Sequence, residues 1–175
     1  MSRSRSLSRR GVAALVLGVA AFAGAAVITA SPAHAAGATV RVNSFGQLVA
    51  EGTTGPDSID LNPSGTATTV SSALHSVTAG AGCVQLGPSA VRCDGVTSIL
   101  VNTTRGDDVV RNNTALFAEI FGSAGSDRLT GGSGRDILVG GSGNDFLTGN
   151  AGNDITDGGP DFDTCSGESE PNCEV

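Results

Sequence analysis

Residues 122–166 read GSAGSDRLT (Gly122–Thr130), GGSGRDILV (Gly131–Val139), GGSGNDFLT (Gly140–Thr148), GNAGNDITD (Gly149–Asp157) and GGPDFDTCS (Gly158–Ser166). The segment repeats every nine residues on the template G-G-x-G-x-D-x-U-x, where U is a bulky apolar residue. A glycine-rich, acid-rich segment would read as disordered on composition alone. The fixed period argues otherwise, because the acid always falls at one place: Asp127, Asp136, Asp145, Asp154 and Asp163. Two residues further on stand Leu129, Leu138, Leu147, Thr156 and Cys165. A short unit that cannot bury its own apolar residue becomes stable by stacking on copies of itself. The expected fold is therefore all-β, a parallel β-solenoid. Six residues of each unit turn the chain, and three form a short strand with U pointing inward.

Two units complete one coil, so unit n stacks on unit n+2. Asp127 then lies above Asp145 and Asp145 above Asp163 on one edge, with Asp136 above Asp154 on the other. Stacked strands are ~4.8 Å apart. Two carboxylates at ~5 Å repel by roughly 3 kcal/mol at an effective dielectric near 20. A divalent cation reverses that sign. Ca²⁺ accepts six to eight oxygens at flexible angles, from carboxylates and carbonyls alike, whereas Mg²⁺ is smaller and keeps its waters. Asp108 with Asp127, one residue out of register, offers a weaker further pair. A site with a dissociation constant of ~0.1 mM would stabilise the fold by about 1.6 kcal/mol at ~1.5 mM Ca²⁺. The mixed U positions make such a contribution important.

Degenerate units lie upstream. Gly52, Gly55, Asp57 and Ile59 have template spacing, Arg105-Gly106-Asp107-Asp108-Val109-Val110 is the later half of a unit, and Asn113–Phe121 keeps the length with Ile120 at U. Short alternating or apolar runs at 39–42, 48–50, 59–61, 83–86, 90–93 and 99–101 read as strands, and Gly87-Pro88-Ser89 as a hairpin turn. No stretch beyond residue 35 has a convincing helical period. The expected organisation is a signal peptide (1–35), an irregular β-rich amino-terminal part of the solenoid (36–112), the repeat block (113–166) and an acidic, disulfide-capped tail (167–175). A small β-sandwich followed by a separate repeat tail is the alternative.

Arg3, Arg5, Arg9 and Arg10 precede an uncharged apolar run from Gly11 to Ala30, and Ala33-His34-Ala35 is an A-x-A cleavage signal. This reads as a secretory signal cut after Ala35, and hence as a secreted protein with no membrane association after cleavage; an uncleaved anchor is the alternative. Lysine is absent, and four of the ten arginines lie in the signal, leaving six against seventeen acids, 6 − 17 = −11. That balance excludes nucleic acid as a partner and favours divalent cations. The cysteines, Cys83, Cys93, Cys165 and Cys173, all lie in the exported part. An even number outside the cell points to two disulfides, with free thiols or a metal pair as the alternative. Three pairings are open; the short loops favour Cys83–Cys93 and Cys165–Cys173. Enzymatic machinery is sparse. His75 is the sole exported histidine, there is no G-x-S-x-G elbow, and without lysine there is neither P-loop nor Schiff base. The protein is read as not an enzyme.

These repeats resemble the RTX or haemolysin-type calcium-binding repeat proteins. The whole chain is similar to small secreted calcium-binding proteins of high-GC Gram-positive bacteria, through its Ala-Gly-Ala-Gly-Cys run ending at Cys83, Arg92-Cys93, the Arg105–Asp108 step and the cysteine-containing acidic tail. The resemblance implies a right-handed parallel β-roll with Ca²⁺ as the bound ion and Asp127, Asp136, Asp145, Asp154 and Asp163 as ligands. It also implies assistance from carbonyls of Gly122, Gly125, Gly131, Gly132, Gly134, Gly140, Gly141, Gly143, Gly149 and Gly152. Ser123 and Asn150 depart from the second glycine, and Pro160-Asp161 from the third and fourth positions, so the fifth unit is expected to be the cap. Two functions fit: a non-enzymatic extracellular calcium-binding protein folded by the ion, or an adhesion or cell-surface interaction protein using calcium as cement, its partner unspecified.

Overall fold

The computed structural model describes residues 37–174, which are all β with no helix among them. The basic and apolar leader and the Ala33-His34-Ala35 cleavage signal lie outside the described residues. The strands are β1 (Ala38–Val42), β2 (Gln47–Glu51), β3 (Ser58–Ser64), β4 (Ala67–Ser71), β5 (Val77–Ala79), β6 (Cys83–Gly87), β7 (Ala90–Asp94), β8 (Ser98–Asn102), β9 (Val109–Asn112), β10 (Ala118–Ala124), β11 (Arg128–Thr130), β12 (Asp136–Ser142), β13 (Phe146–Thr148), β14 (Ile155–Asp157) and β15 (Thr164–Ser166).

From β8 onward, successive strands alternate between two sheets. One runs β14-β12-β10-β8-β2-β1-β5 and the other β15-β13-β11-β9-β3-β4-β7-β6. Every pairing among β8–β15 is parallel, as are β2 with β8 and β3 with β9. Because a nine-residue unit carries one strand, the chain returns to the same sheet after two units. Leu129 therefore pairs with Leu147, and Leu147 with Cys165. Facing them, Ala50, Val101, Ile120, Leu138 and Thr156 form one line across the other sheet. Leu129, Leu138, Leu147, Ile120, Val101, Val110 and Ile59 are fully buried between the sheets. Each buried leucine contributes roughly 1.5–3 kcal/mol. Outward-facing Arg128 stacks on the Phe146 ring at 4.7 Å from its centroid, a cation–π contact between successive coils. The strands are not uniformly short: β10 and β12 have 7 residues, running through the first glycines of the next unit.

The amino-terminal part joins the same two sheets and the same core. Between β3 and β8 the chain departs from the coil: β4 pairs antiparallel with β3, β7 with β4 and β6 with β7, while β5 runs parallel to β1 at the edge of the other sheet. The β6–β7 hairpin sets Cys83 directly opposite Cys93, and these are joined. Cys165 is joined to Cys173, so no described cysteine is free. At this end Gln85 bridges the two sheets, accepting from the Ala79 N–H at 2.9 Å and donating to the Val77 carbonyl at 2.7 Å.

Candidate metal centre

The repeat aspartates form two ladders. On the first edge, each backbone N–H donates to the Oδ1 of the aspartate one coil further on: Asp127 to Asp145 at 2.8 Å and Asp145 to Asp163 at 2.8 Å. The ladder extends upstream, with Asp57 donating to Asp108 at 2.7 Å and Asp108 to Asp127 at 2.8 Å. On the second edge Asp136 donates to Asp154 at 2.8 Å. That ladder is short because Ala118, Ile99 and Leu48 occupy the aspartate's register position in the preceding strands, where they belong to the apolar core.

Two sequence expectations need correction. Asp108 is in line with Asp127, not out of register: that coil takes 19 residues where the next takes 18, and the ladder bond is unchanged. Nor does the first ladder stop at the fifth unit, because the Asp163 N–H donates to Glu174 Oε2 at 2.7 Å. The Asp154 N–H likewise donates to Glu168 Oε2 at 2.7 Å.

The second carboxylate oxygens carry the chemistry. Asp57, Asp108, Asp127, Asp136, Asp145, Asp154 and Asp163 are all buried. Among the described residues, Oδ2 of Asp108, Asp127, Asp145, Asp154 and Asp163 has no hydrogen-bond partner. Asp57 and Asp136 differ, accepting at Oδ2 from the N–H of Thr53 and of Gly132, each at 2.6 Å. A buried acceptor without a donor is costly, and a buried bare carboxylate more so. Burial accordingly raises the pKa of Asp108, Asp127, Asp136 and Asp145 from 3.8 to about 6. Neighbouring aspartates push in the same direction, and hydrogen bonds to the carboxylates push back.

The glycines explain how these oxygens converge. A Cβ placed on Gly131 would lie 2.6 Å from Asp136 Oδ2 and 2.6 Å from the carbonyl oxygen of Gly149 in the next coil. Gly122 is in the same position between Asp127 Oδ2 and the Gly140 carbonyl, and Gly140 between Asp145 Oδ2 and the Gly158 carbonyl. At Gly122 and Gly140 the first glycine of the unit thus leaves a cradle where a carboxylate oxygen without a donor and a carbonyl oxygen of the next coil approach, while at Gly131 the Asp136 Oδ2 also accepts the Gly132 N–H. The fourth glycines rest on the carbonyl of the same position one coil back: Gly125 on Gly106, Gly143 on Gly125 and Gly152 on Gly134. Gly141 has φ +112°, and the departures Ser123 and Asn150 take φ 79° and 69°, with Asn150 Nδ2 donating to the Gly131 carbonyl at 2.6 Å.

Oxygen pairs of this kind suit a hard divalent cation, which accepts carboxylate and carbonyl donors together. Among the described residues no three Asp, Glu, His or Cys side chains converge on one point. A cation here would therefore draw on backbone carbonyls as much as on carboxylates. A family model described as RTX calcium-binding nonapeptide repeat (4 copies) matches residues 119–147 and 130–165. Over these residues the chain is similar to RTX nonapeptide repeats, which bind Ca²⁺. No curated protein and no solved structure matches the chain. The RTX match begins after β9 and ends before the tail, so Asp57, Asp108, Glu168 and Glu174 lie outside it. Sequence reasoning carried neither Asp57 nor Gly158 as a site residue, although the degenerate unit at 52–59 held the signal for Asp57. Glu168 and Glu174 sit 14 and 11 residues from their ladder partners, spacings that no period of nine predicts.

Proposed function

We propose that this is a secreted, non-enzymatic calcium-binding protein, in which Ca²⁺ lies between stacked Asp–Gly turns of a right-handed parallel β-roll and is coupled to folding. The observation that carries this reading is the row of buried Oδ2 atoms without donors among the described residues, of which those of Asp127, Asp145, Asp154 and Asp163 each face a first-position glycine, Gly122, Gly140, Gly149 and Gly158. Asp127, Asp136, Asp145, Asp154 and Asp163 are the proposed side-chain ligands, joined by Asp108, with glycine carbonyls completing each shell. The roll runs from the amino-terminal strands through the repeats at 113–166 and is closed by the tail. Two disulfides accord with an oxidising compartment outside the cell. A non-enzymatic role is supported by what the sole histidine of the described residues does: His75 Nε2 bonds the Pro56 carbonyl at 2.8 Å, and Ser72 Oγ accepts from the N–H of His75 at 3.1 Å.

Calcium titration followed by circular dichroism and thermal melting tests the reading. Millimolar Ca²⁺ is expected to increase the β signal and raise the melting temperature, with Mg²⁺ doing much less. A spectrum and melting point that chelator leaves unchanged would refute it.

A further inference from the structure

The tail after the last repeat leaves the nine-residue period, yet it is built into the position that another coil would take. Ser169 lies in parallel register with Ile155 of β14. The Thr156 N–H donates to the Ser169 carbonyl at 2.9 Å, the Ser169 N–H to the Asp154 carbonyl at 3.2 Å and the Glu174 N–H to the Asp163 carbonyl at 3.0 Å. Glu174 also accepts the Asp163 N–H, the role each ladder aspartate plays for the one before it. The cradle is reproduced as well. At Gly158, an added Cβ would meet Asp163 Oδ2 and the carbonyl oxygen of Asn172. In the preceding coil, at Gly140, the corresponding pair is Asp145 Oδ2 and the Gly158 carbonyl. Asp163 is fully buried, and its Oδ2 has no hydrogen-bond partner among the described residues.

From this we propose a terminal calcium site formed by Asp163, the Asn172 carbonyl and Glu174, in which the disulfide-tied tail supplies the half-site that a sixth unit would otherwise provide. The proposal rests on the calcium reading above and extends it beyond the repeats. Glu174 brings a negative charge where an aspartate of the next coil would stand, and the Cys165–Cys173 bridge fixes Asn172 and Glu174, the residues on either side of Cys173, over the end of β15. A tail serving only to satisfy the last N–H groups would need an acceptor at Glu174 but no charge.

That difference defines the experiment. Bound calcium per chain is counted by equilibrium dialysis of the disulfide-intact protein with radiolabelled Ca²⁺, for the wild type, Glu174→Gln and the exposed charge control Asp94→Asn. Glutamine keeps an oxygen that accepts the Asp163 N–H, so the melting temperature in chelator should match wild type. The variant should bind one calcium fewer, or hold its weakest ion about tenfold less tightly, because affinity follows ligand charge. Asp94→Asn should bind as wild type does. Cys165→Ser/Cys173→Ser, which frees the tail without touching a ladder aspartate, should lose the same ion. Calcium binding by the wild type with count and midpoint unchanged in both tail variants overturns the terminal site alone. A wild type that binds no calcium overturns it together with the reading on which it rests.

Discussion

At the scale of single residues, the fold depends on having nothing at the first glycine of each unit. Gly140 has no room for a Cβ, because Asp145 Oδ2 and the Gly158 carbonyl, 2.7 Å away, would collide with it. One of these is backbone shared with the next coil and cannot move alone. Gly140→Ala is expected to destabilise the calcium-free protein by about 1–3 kcal/mol and to weaken calcium binding as well. Gly87, where a Cβ would meet nothing within 4 Å and φ is not positive, is the contrast. Gly87→Ala should stay within about 0.5 kcal/mol of wild type. Melting the two variants with and without calcium checks both values. An equal loss in both would mean that the cradle plays no part in stability.

At the scale of elements, the two ends of the strand stack are closed differently. At the amino-terminal end the antiparallel β6–β7 hairpin is locked by Cys83–Cys93, beside fully buried Val91 and Val70. At the other end β15 has only three residues and a half-buried U position, Cys165, so its closure relies on the tail. The hairpin disulfide closes a short loop remote from both ladders. Its removal in Cys83→Ser/Cys93→Ser should cost about 2–3 kcal/mol, by the same amount with calcium as with chelator. Denaturant melts under both conditions measure this. A loss that calcium abolished would tie the hairpin to the ladders in a way its position does not explain. Most of these elements were legible in the sequence, because apolar alternation and the Gly-Pro-Ser turn are local signals. The length of β10 and β12 was not, since their extension through glycines depends on a neighbouring strand offering hydrogen bonds.

At the scale of the whole molecule, buried carboxylates and a large negative charge make the calcium-free fold sensitive to protons. Asp108, Asp127, Asp136 and Asp145 have folded-state pKa values raised from 3.8 to about 6. A carboxyl whose pKa is higher folded than unfolded binds more protons in the folded state. Its stabilising effect is therefore complete below about pH 4 and is lost as the pH rises through about 6. In chelator, the melting temperature should be higher at pH 5 than at pH 7.5. Calcium held by these groups as proposed would work in the opposite sense, because it requires them deprotonated, so the gain in melting temperature on adding calcium should be larger at pH 7.5 than at pH 5. A chelated protein that melts lower at pH 5 than at pH 7.5 would show that the aspartates are not buried as described.

The period of nine by itself determined the stacking of Asp127, Asp145 and Asp163, the inward leucines and the glycine turns, because each is a property of one short unit and its copies. The cysteine spacings likewise favoured the pairs that are joined, since short loops close most readily. Only the tertiary structure decided that Asp57 belongs to the same ladder as Asp108, 51 residues away, with the excursion of β4, β5, β6 and β7 between them. It alone absorbed the extra residue of the 19-residue coil without breaking the ladder, and it alone brought Glu168 and Glu174 to the ladder ends. The physical reason is the same in each case. A repeat specifies contacts at a fixed separation along the chain, whereas the ends and interruptions of a stack are governed by which oxygens and N–H groups remain unpaired in space, and the chain reaches these by whatever path its length allows.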